Sequence, residues 1–179
     1  MKPKLLVTRE VFDETLAYLG EHCEVESNQR DVPLDPEVLA QRSRDKLGVM
    51  CCLTDRIDDK LLARCPQLKV VANIAVGFNN IDLAACAARG VMATNTPEVL
   101  TDSTADLAFA LMLATARRLT EAEAYIRVGQ WRGWHLKQML GVDVHHATLG
   151  IIGMGRIGRV IARRAQGFEM RVIYHDPVR

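Results

Sequence analysis

The sequence lacks an excess of charge of either sign. Its 179 residues hold 23 Lys and Arg against 22 Asp and Glu, which leaves a net charge of +1. Such a balanced chain has no overall field to attract a nucleic-acid backbone or an anionic membrane. We therefore expect neither nucleic acid nor a membrane among its partners.

Long apolar runs are also missing. No run reaches the roughly 18 residues that a membrane-spanning helix requires. The apolar stretch near the start, Leu5 to Val7, is far shorter than the core of a signal peptide. These absences predict a soluble, cytoplasmic protein.

No two cysteines have the C-x-x-C spacing of many metal and redox sites. The five cysteines are Cys23, Cys51, Cys52, Cys65 and Cys86. Each lies in or beside an apolar segment, and their number is odd. We interpret them as reduced thiols of the core rather than as metal ligands or disulfide partners.

The first hundred residues alternate short apolar runs with segments of helical period, which is typical of parallel β/α units. Strands are predicted at 4–8, 23–25, 48–53, 68–74 and 91–94. Asp35, Asp58 and Asp82 each precede a helical segment as N-caps, and Gly20 is expected to end the first helix. The pattern predicts an open parallel sheet with right-handed crossovers.

The pattern changes from Thr101 onwards. The segment from Leu107 to Ala116 is apolar almost all round, which predicts a helix buried between layers. Ser103 and Asp106 resemble a capping box at the start of that helix.

A less regular stretch, residues 121–146, follows this helix and carries both tryptophans. We interpret Trp131 and Trp134 as core or oligomer anchors rather than as a platform for stacked bases. Adjacent His145 and His146 are interpreted as a solvated pair, with a metal site as the alternative.

A dinucleotide-binding fingerprint begins in a strand predicted at 148–152. The strand runs directly into Gly153-Met154-Gly155-Arg156-Ile157-Gly158, which opens an amphipathic helix, and a second strand at 171–174 ends close to Asp176. A bare G-x-G-x-x-G is weak evidence, but strand, glycines, helix, strand and carboxylate together form the whole βαβ pattern. The sequence therefore predicts a Rossmann-type nucleotide site.

Each glycine of the fingerprint has its own expected task. Gly153 permits a tight turn, Gly155 lets the backbone approach a pyrophosphate, and Gly158 lets the helix pack closely on the strand. The helix N-terminus offers unpaired N–H groups to the phosphates.

The carboxylate of Asp176 is expected to accept hydrogen bonds from the adenosine ribose and to repel a 2′-phosphate, which favours NAD over NADP. His175 and Arg179 would weaken the preference for NAD if they received the 2′-phosphate of NADP. The alternative is that Asp176 only caps a turn before Pro177.

A second ligand-binding segment is predicted at residues 75–82, where the strand at 68–74 ends. A glycine-containing loop followed by an Asp-capped helix directs backbone N–H groups towards the carboxyl ends of the strands, where open α/β sheets bind ligands. A plain turn is the alternative interpretation.

The order of these parts resembles the D-isomer-specific 2-hydroxyacid dehydrogenase family, of the glyoxylate/hydroxypyruvate reductase and phosphoglycerate dehydrogenase type. The segments that carry the resemblance are 76–82, 95–97, 100–107, 129–131 and 150–158. Together these segments make the resemblance cover essentially the whole chain. Phosphite dehydrogenase, a member of the same family, has a lysine where this chain has Val76, which argues against phosphite as substrate.

The resemblance implies an α/β fold in three parts. These are a flavodoxin-like parallel-sheet substrate domain at 1–100, a linking helix and dimerisation arm at 101–147, and the first βαβ part of a Rossmann NAD-binding domain at 148–179. It also implies a homodimer formed through residues 121–147.

The resemblance further implies which residues bind ligands. The N–H groups of Val76 and Gly77 would hold the carboxylate of a small 2-oxo acid. Thr104 would lie beside the nicotinamide. The residues that would bind the rest of the dinucleotide are Gly153, Gly155, Arg156, Ile157, Gly158 and Asp176.

In this family a histidine protonates the substrate carbonyl, assisted by a glutamate and an arginine, all after the second Rossmann strand. None of the five histidines here stands in that position, and the family normally runs to about twice this length. We therefore expect an N-terminal portion, inactive alone, of an NAD-dependent oxidoreductase that interconverts a 2-oxo acid such as glyoxylate or hydroxypyruvate and its D-2-hydroxy acid. The alternative is a non-catalytic NAD-sensing or protein-binding module of the same fold.

Overall fold

The computed structural model describes residues 1–178. Arg179, which the sequence analysis named as a residue that would receive a 2′-phosphate, lies outside the described residues. The chain divides into two compact units, Met1–Pro97 and the residues from Glu98 onwards. The elements of the first unit are β1 (Lys4–Val7), α1 (Asp13–His22), β2 (Glu24–Ser27), α2 (Pro36–Ser43), β3 (Gly48–Cys51), α3 (Asp59–Arg64), β4 (Val70–Asn73), α4 (Leu83–Ala88) and β5 (Met92–Thr94).

The first unit is built on a five-stranded sheet in the order β2-β1-β3-β4-β5, with every pair parallel. This is the flavodoxin-like strand order, and it confirms the predicted open parallel sheet. Leu6, Val49 and Val71, from the three central strands, are fully buried in one apolar core. Because all strands are parallel, their carboxyl ends meet at one edge, where the loops that follow them come together.

Aspartate side chains begin three of the helices, as predicted. Asp35 accepts a hydrogen bond from the N–H of Glu37, and Asp58 and Asp82 accept from the N–H groups three residues further on. The predicted end of α1 at Gly20 is wrong, because the helix continues to His22 with Gly20 in a helical conformation. Glycine tolerates an α-helix interior at a cost of about 0.5–1 kcal/mol relative to alanine, which is too small to end a helix by itself.

The cysteines divide into two groups. Cys51, Cys65 and Cys86 are buried, as predicted, whereas Cys23 and Cys52 are partly exposed. None forms a disulfide within residues 1–178. Burial raises the pKa of the Cys51 thiol to about 12, so this thiol stays protonated and behaves as a small apolar side chain.

The second unit contains two long helices followed by a βαβ segment. Its elements are α5 (Thr101–Ala116), α6 (Leu119–Arg127), β6 (Thr148–Ile152), α7 (Arg156–Ala165), a 3₁₀ turn (Gln166–Phe168) and β7 (Arg171–His175). Strands β6 and β7 pair in parallel, as the fingerprint predicted. Helix α5 packs on α7, where Arg164 binds the carboxylate of Asp106 and Phe109 stacks on Phe168.

Two predictions for α5 are wrong. The helix begins at Thr101 after the N-cap Leu100, so Ser103 is already helical and its hydroxyl donates to the Leu100 carbonyl instead of forming a capping box. The helix is also not buried all round, because α7 and the 3₁₀ turn cover only the side that carries Phe109. Leu107 and Leu111 are each 58% exposed.

Part of the stretch predicted to be less regular is in fact α6. Among residues 1–178, no helix combines the length and the apolar character that crossing a membrane requires.

Candidate functional site

The glycine-rich loop joins β6 to α7 in the second unit. Gly153 has φ of +95°, a conformation that L side chains rarely adopt, and its N–H donates to the His175 carbonyl at 2.8 Å. A Cβ on Gly158 would lie 2.2 Å from the Gly153 carbonyl oxygen. The turn thus requires glycine at Gly153, and the close approach of helix to strand requires it at Gly158.

The N-terminus of α7 is open. Gly155 is its N-cap, and no side chain caps the helix. A Cβ on Gly155 would meet no protein atom within 4 Å, so packing within the chain does not explain this glycine. Free N–H groups, the positive end of the helix dipole and room for a close approach are what a phosphate group needs.

Asp176 follows β7 and links two segments. Its Oδ1 accepts from the Val178 N–H at 2.8 Å, and its Oδ2 accepts from the Met154 N–H at 2.6 Å. These two hydrogen bonds lower the pKa of the carboxyl, the Val178 bond most strongly. The carboxylate therefore caps the turn around Pro177, as the alternative interpretation held, and it also lies against the glycine-rich loop.

The remaining residues expected to bind the dinucleotide also lie in the second unit. Arg156 and Ile157 occupy the first turn of α7, with Arg156 exposed and its guanidinium 3.8 Å from the Glu98 carboxylate. Thr104 lies in the first turn of α5 and is partly buried.

Residues 75–78 form a loop after β4 in the first unit, called here the carboxylate loop. The carbonyl of Val76 accepts from Asn95 Nδ2, and that of Gly77 accepts from Asn73 Nδ2, both at 2.8 Å. The N–H groups of Val76 and Gly77 donate to no acceptor among residues 1–178. The carbonyl groups of the loop are therefore held by hydrogen bonds while its N–H groups remain free to donate. Free N–H groups are what binding of an anion requires.

Buried polar side chains support the carboxylate loop, and the sequence analysis assigned them no role. Asn80 Nδ2 donates to the carbonyls of Cys52 at 3.1 Å and Asp55 at 3.0 Å, which joins the segment after β4 to the segment after β3. Asp55 is almost fully buried and accepts from the Thr8 hydroxyl at 2.5 Å. Polar residues at the ends of three neighbouring parallel strands were the signal that would have identified this network.

The tryptophans and the histidine pair lie outside these two loops. Trp131 and Trp134 are 56% and 78% exposed, so neither is a core anchor within the described chain. The rings of His145 and His146 are 4.9 Å apart, and His146 Nδ1 lies 3.1 Å from the Glu169 carboxylate. No group of three or more potential metal ligands occurs within residues 1–178.

Comparison with known proteins identifies the family. Residues 5–169 match the model of the D-isomer specific 2-hydroxyacid dehydrogenase catalytic domain. The chain belongs to the D-isomer specific 2-hydroxyacid dehydrogenase family. The resemblance inferred from the sequence is thereby confirmed.

Curated members of the 2-hydroxyacid dehydrogenase family match the whole chain. A glyoxylate reductase of Korarchaeum cryptofilum (strain OPF8) is 47% identical over 180 residues, which are 100% of this chain and 54% of that protein. A glyoxylate reductase of Thermococcus onnurineus (strain NA1) is 46% identical over 183 residues, 100% of this chain and 55% of that protein. The chain spans about half the length of the curated relatives that it matches.

Solved structures confirm the fold expected of a 2-hydroxyacid dehydrogenase. A protein from Thermus thermophilus superimposes with a TM-score of 0.92 at 44% identity, over 98% of this chain and 57% of that one. A D-lactate dehydrogenase of Aquifex aeolicus, solved with NAD and lactic acid, superimposes with a TM-score of 0.80 at 25% identity, over 98% of this chain and 52% of that one.

Proposed function

We propose that this chain is the substrate-binding unit and the first part of the NAD-binding unit of an oxidoreductase. The whole protein would interconvert a small 2-oxo acid, of the glyoxylate or hydroxypyruvate class, and its D-2-hydroxy acid. The observation that carries the proposal is the open, uncapped N-terminus of α7, with Gly153, Gly155 and Gly158 before it and Asp176 beside it. Relatives named glyoxylate reductase support the substrate class.

The residues of the second unit fit a dinucleotide. N–H groups at Gly155, Arg156 and Ile157 would receive the pyrophosphate, and Asp176 would receive the adenosine ribose. When bound, NAD supplies or accepts a hydride. Thr104 would lie beside the nicotinamide.

The first unit would bind the acid. The free N–H groups of Val76 and Gly77 would donate to the substrate carboxylate, which places an anion against neutral backbone donors. We further propose that the whole protein is a cytoplasmic homodimer formed through residues 121–147, where apolar side chains are exposed.

Alanine at Gly155 tests the nucleotide site, with Gly167→Ala as the matched control. A Cβ at either glycine meets no protein atom within 4 Å, so neither substitution is expected to disturb the fold. Only at Gly155 would the methyl group lie where a pyrophosphate approaches. In the whole protein encoded by the gene, we expect Gly155→Ala to raise the KM for NADH by about tenfold or more, and Gly167→Ala to leave it unchanged.

Two results of this experiment would contradict the proposal. If both variants reduce glyoxylate with an unchanged KM for NADH, the α7 N-terminus is not the nucleotide site. If the unsubstituted protein binds NADH but turns over no 2-oxo acid, the chain belongs to a nucleotide-sensing module instead.

A further inference from the structure

We infer that Asn95 and Asn73 are positioning residues that hold the peptide groups of the carboxylate loop with their N–H groups directed at the substrate carboxylate. The inference rests on the proposed function of that loop. Neither asparagine is expected to touch the substrate, because each acts through the backbone carbonyl to which it donates.

The geometry of the peptide group connects each asparagine to one donor. In a planar trans peptide the C=O and the N–H point in opposite directions, so fixing the carbonyl also fixes the N–H of the next residue. Asn95 Nδ2 holds the Val76 carbonyl at 2.8 Å and thereby orients the N–H of Gly77. Asn73 Nδ2 holds the Gly77 carbonyl at 2.8 Å and thereby orients the N–H of Phe78.

A third peptide group is fixed by the backbone alone. The Thr96 N–H donates to the Ala75 carbonyl at 2.9 Å, which orients the N–H of Val76. Three successive peptide groups are thus held at their carbonyls. Among the described residues, no acceptor is hydrogen-bonded to the N–H groups of Val76, Gly77 or Phe78.

The peptide group between Val76 and Gly77 needs such support more than an ordinary one. Glycine adopts both signs of φ at little cost, so a peptide group next to glycine rotates easily. Rotation would direct the Val76 carbonyl, instead of the Gly77 N–H, towards the anion. The hydrogen bond from Asn95 opposes this rotation, and it also polarises the peptide group, which strengthens its N–H as a donor.

Asn73 is itself held in place by its neighbours, and Asn95 is placed by a strand of the sheet. Asn73 is 3% exposed, and its side-chain amide exchanges hydrogen bonds with that of Asn80, which is anchored on Cys52 and Asp55. Asn95 follows β5, the strand next to β4 in the sheet. The carboxylate loop is therefore fixed from both neighbouring loops at the carboxyl edge of the sheet.

The test uses the isotope-labelled 179-residue chain and oxamate, an unreactive analogue of a 2-oxo acid, with binding followed by NMR of the backbone amides. In the unsubstituted chain we expect saturable shifts of the Val76 and Gly77 signals. In Asn95→Ser the shorter side chain no longer donates to the Val76 carbonyl. We therefore expect the Gly77 amide signal of this variant to differ from that of the unsubstituted chain even without oxamate. The dissociation constant of oxamate then rises about fivefold to tenfold, while signals outside the loop stay in place.

Two further variants complete the experiment. Asn73→Ser removes the hydrogen bond from Asn73 Nδ2 to the Gly77 carbonyl. It provides an independent test if Asn95→Ser unfolds. Gln67→Ser is the matched control, because Gln67 is an exposed side-chain amide outside residues 75–82 for which the structure shows no side-chain hydrogen bond, and it should bind oxamate like the unsubstituted chain.

The outcomes separate the two proposals. If the unsubstituted chain binds oxamate and both serine variants bind it equally well, the positioning role is refuted while the proposed function stands. If oxamate leaves the Val76 and Gly77 signals of the unsubstituted chain unchanged, the carboxylate loop is not an anion site, and the positioning role fails together with the part of the proposed function that places the substrate carboxylate there.

Discussion

At the scale of single residues, Asp176 shows how one side chain joins two segments of the chain. Its two hydrogen bonds connect the turn after β7 to the glycine-rich loop after β6. Both come from backbone N–H groups, so they favour the ionised carboxyl and lower its pKa. The negative charge that would discriminate against a 2′-phosphate is therefore present at every pH near neutrality.

The pKa of Asp176 predicts how the glycine-rich loop responds to acid. The ordinary value is 3.8, and the value in the folded chain is lower. The ionised Asp176 carboxyl therefore contributes fully to the stability of the folded chain at pH values above its pKa in the unfolded chain. This contribution is lost as the pH falls through its lower pKa in the folded chain. In an NMR titration of the chain, we expect the Met154 amide signal to follow this carboxyl with a midpoint below 3.8.

Asp176→Asn is the control for this titration, because it removes the ionisable group and should abolish the step. A step that persists in the variant, or a midpoint at or above the ordinary value, would show that the hydrogen bond to Met154 does not hold the carboxylate.

Residue roles could be predicted from the sequence only where they depend on neighbours along the chain. The N-caps Asp35, Asp58 and Asp82 satisfy N–H groups two or three residues away, and all three were predicted. Asn95 was not, because its hydrogen bond to the Val76 carbonyl depends on which strands lie side by side. That order is a property of the sheet and not of any local pattern.

At the scale of elements, the β6–loop–α7 segment is defined by two different constraints on glycine. Gly153 adopts a positive φ, and Gly158 lies too close to the Gly153 carbonyl for any side chain. The fingerprint predicted the element order and bounds well because each glycine serves the local turn or the adjoining strand and helix. The exposure of α5 was predicted incorrectly, because an apolar segment does not reveal which surface covers it.

Alanine substitutions at two helical glycines should have opposite effects on stability. Gly158→Ala places a Cβ 2.2 Å from a backbone oxygen, so we expect it to destabilise the fold by about 1–3 kcal/mol. Gly20→Ala, in exposed α1, meets no atom within 4 Å and should stabilise by about 0.5–1 kcal/mol. Urea unfolding of the chain measures both changes. Equal effects of the two substitutions would mean that the close approach at α7 does not exist in solution.

At the scale of the whole molecule, the second unit leaves many large apolar side chains exposed. Those on α5, on α6 and in the stretch that follows α6 include Leu107, Leu111, Leu119, Ile126, Trp131, Trp134, Leu136, Leu140 and Val142. Aromatic side chains are enriched in the cores of interfaces, and a large exposed apolar surface indicates a partner. The sequence predicted an association arm at 121–147, and that assignment stays a prediction.

Removing one tryptophan tests the association. If Trp131 anchors a homodimer, Trp131→Ala should shift the chain towards monomer at micromolar concentration in light scattering, because anchors of this type carry much of the binding energy. Tyr18→Ala is the control, since Tyr18 is also exposed but lies on α1 of the first unit. An unsubstituted chain that is monomeric under the same conditions would contradict the proposed dimer.

Cofactor choice is the most direct measure of the central claim, that the glycine-rich loop and Asp176 bind NAD for the reduction of a 2-oxo acid. With NADH the carboxylate would accept hydrogen bonds from the ribose hydroxyls, whereas with NADPH it would face a phosphate and repel it. In the whole protein with glyoxylate, kcat/KM should favour NADH over NADPH by at least about tenfold, and Asp176→Ala should largely abolish the preference. A protein that prefers NADPH, or a preference that survives Asp176→Ala unchanged, would contradict the account.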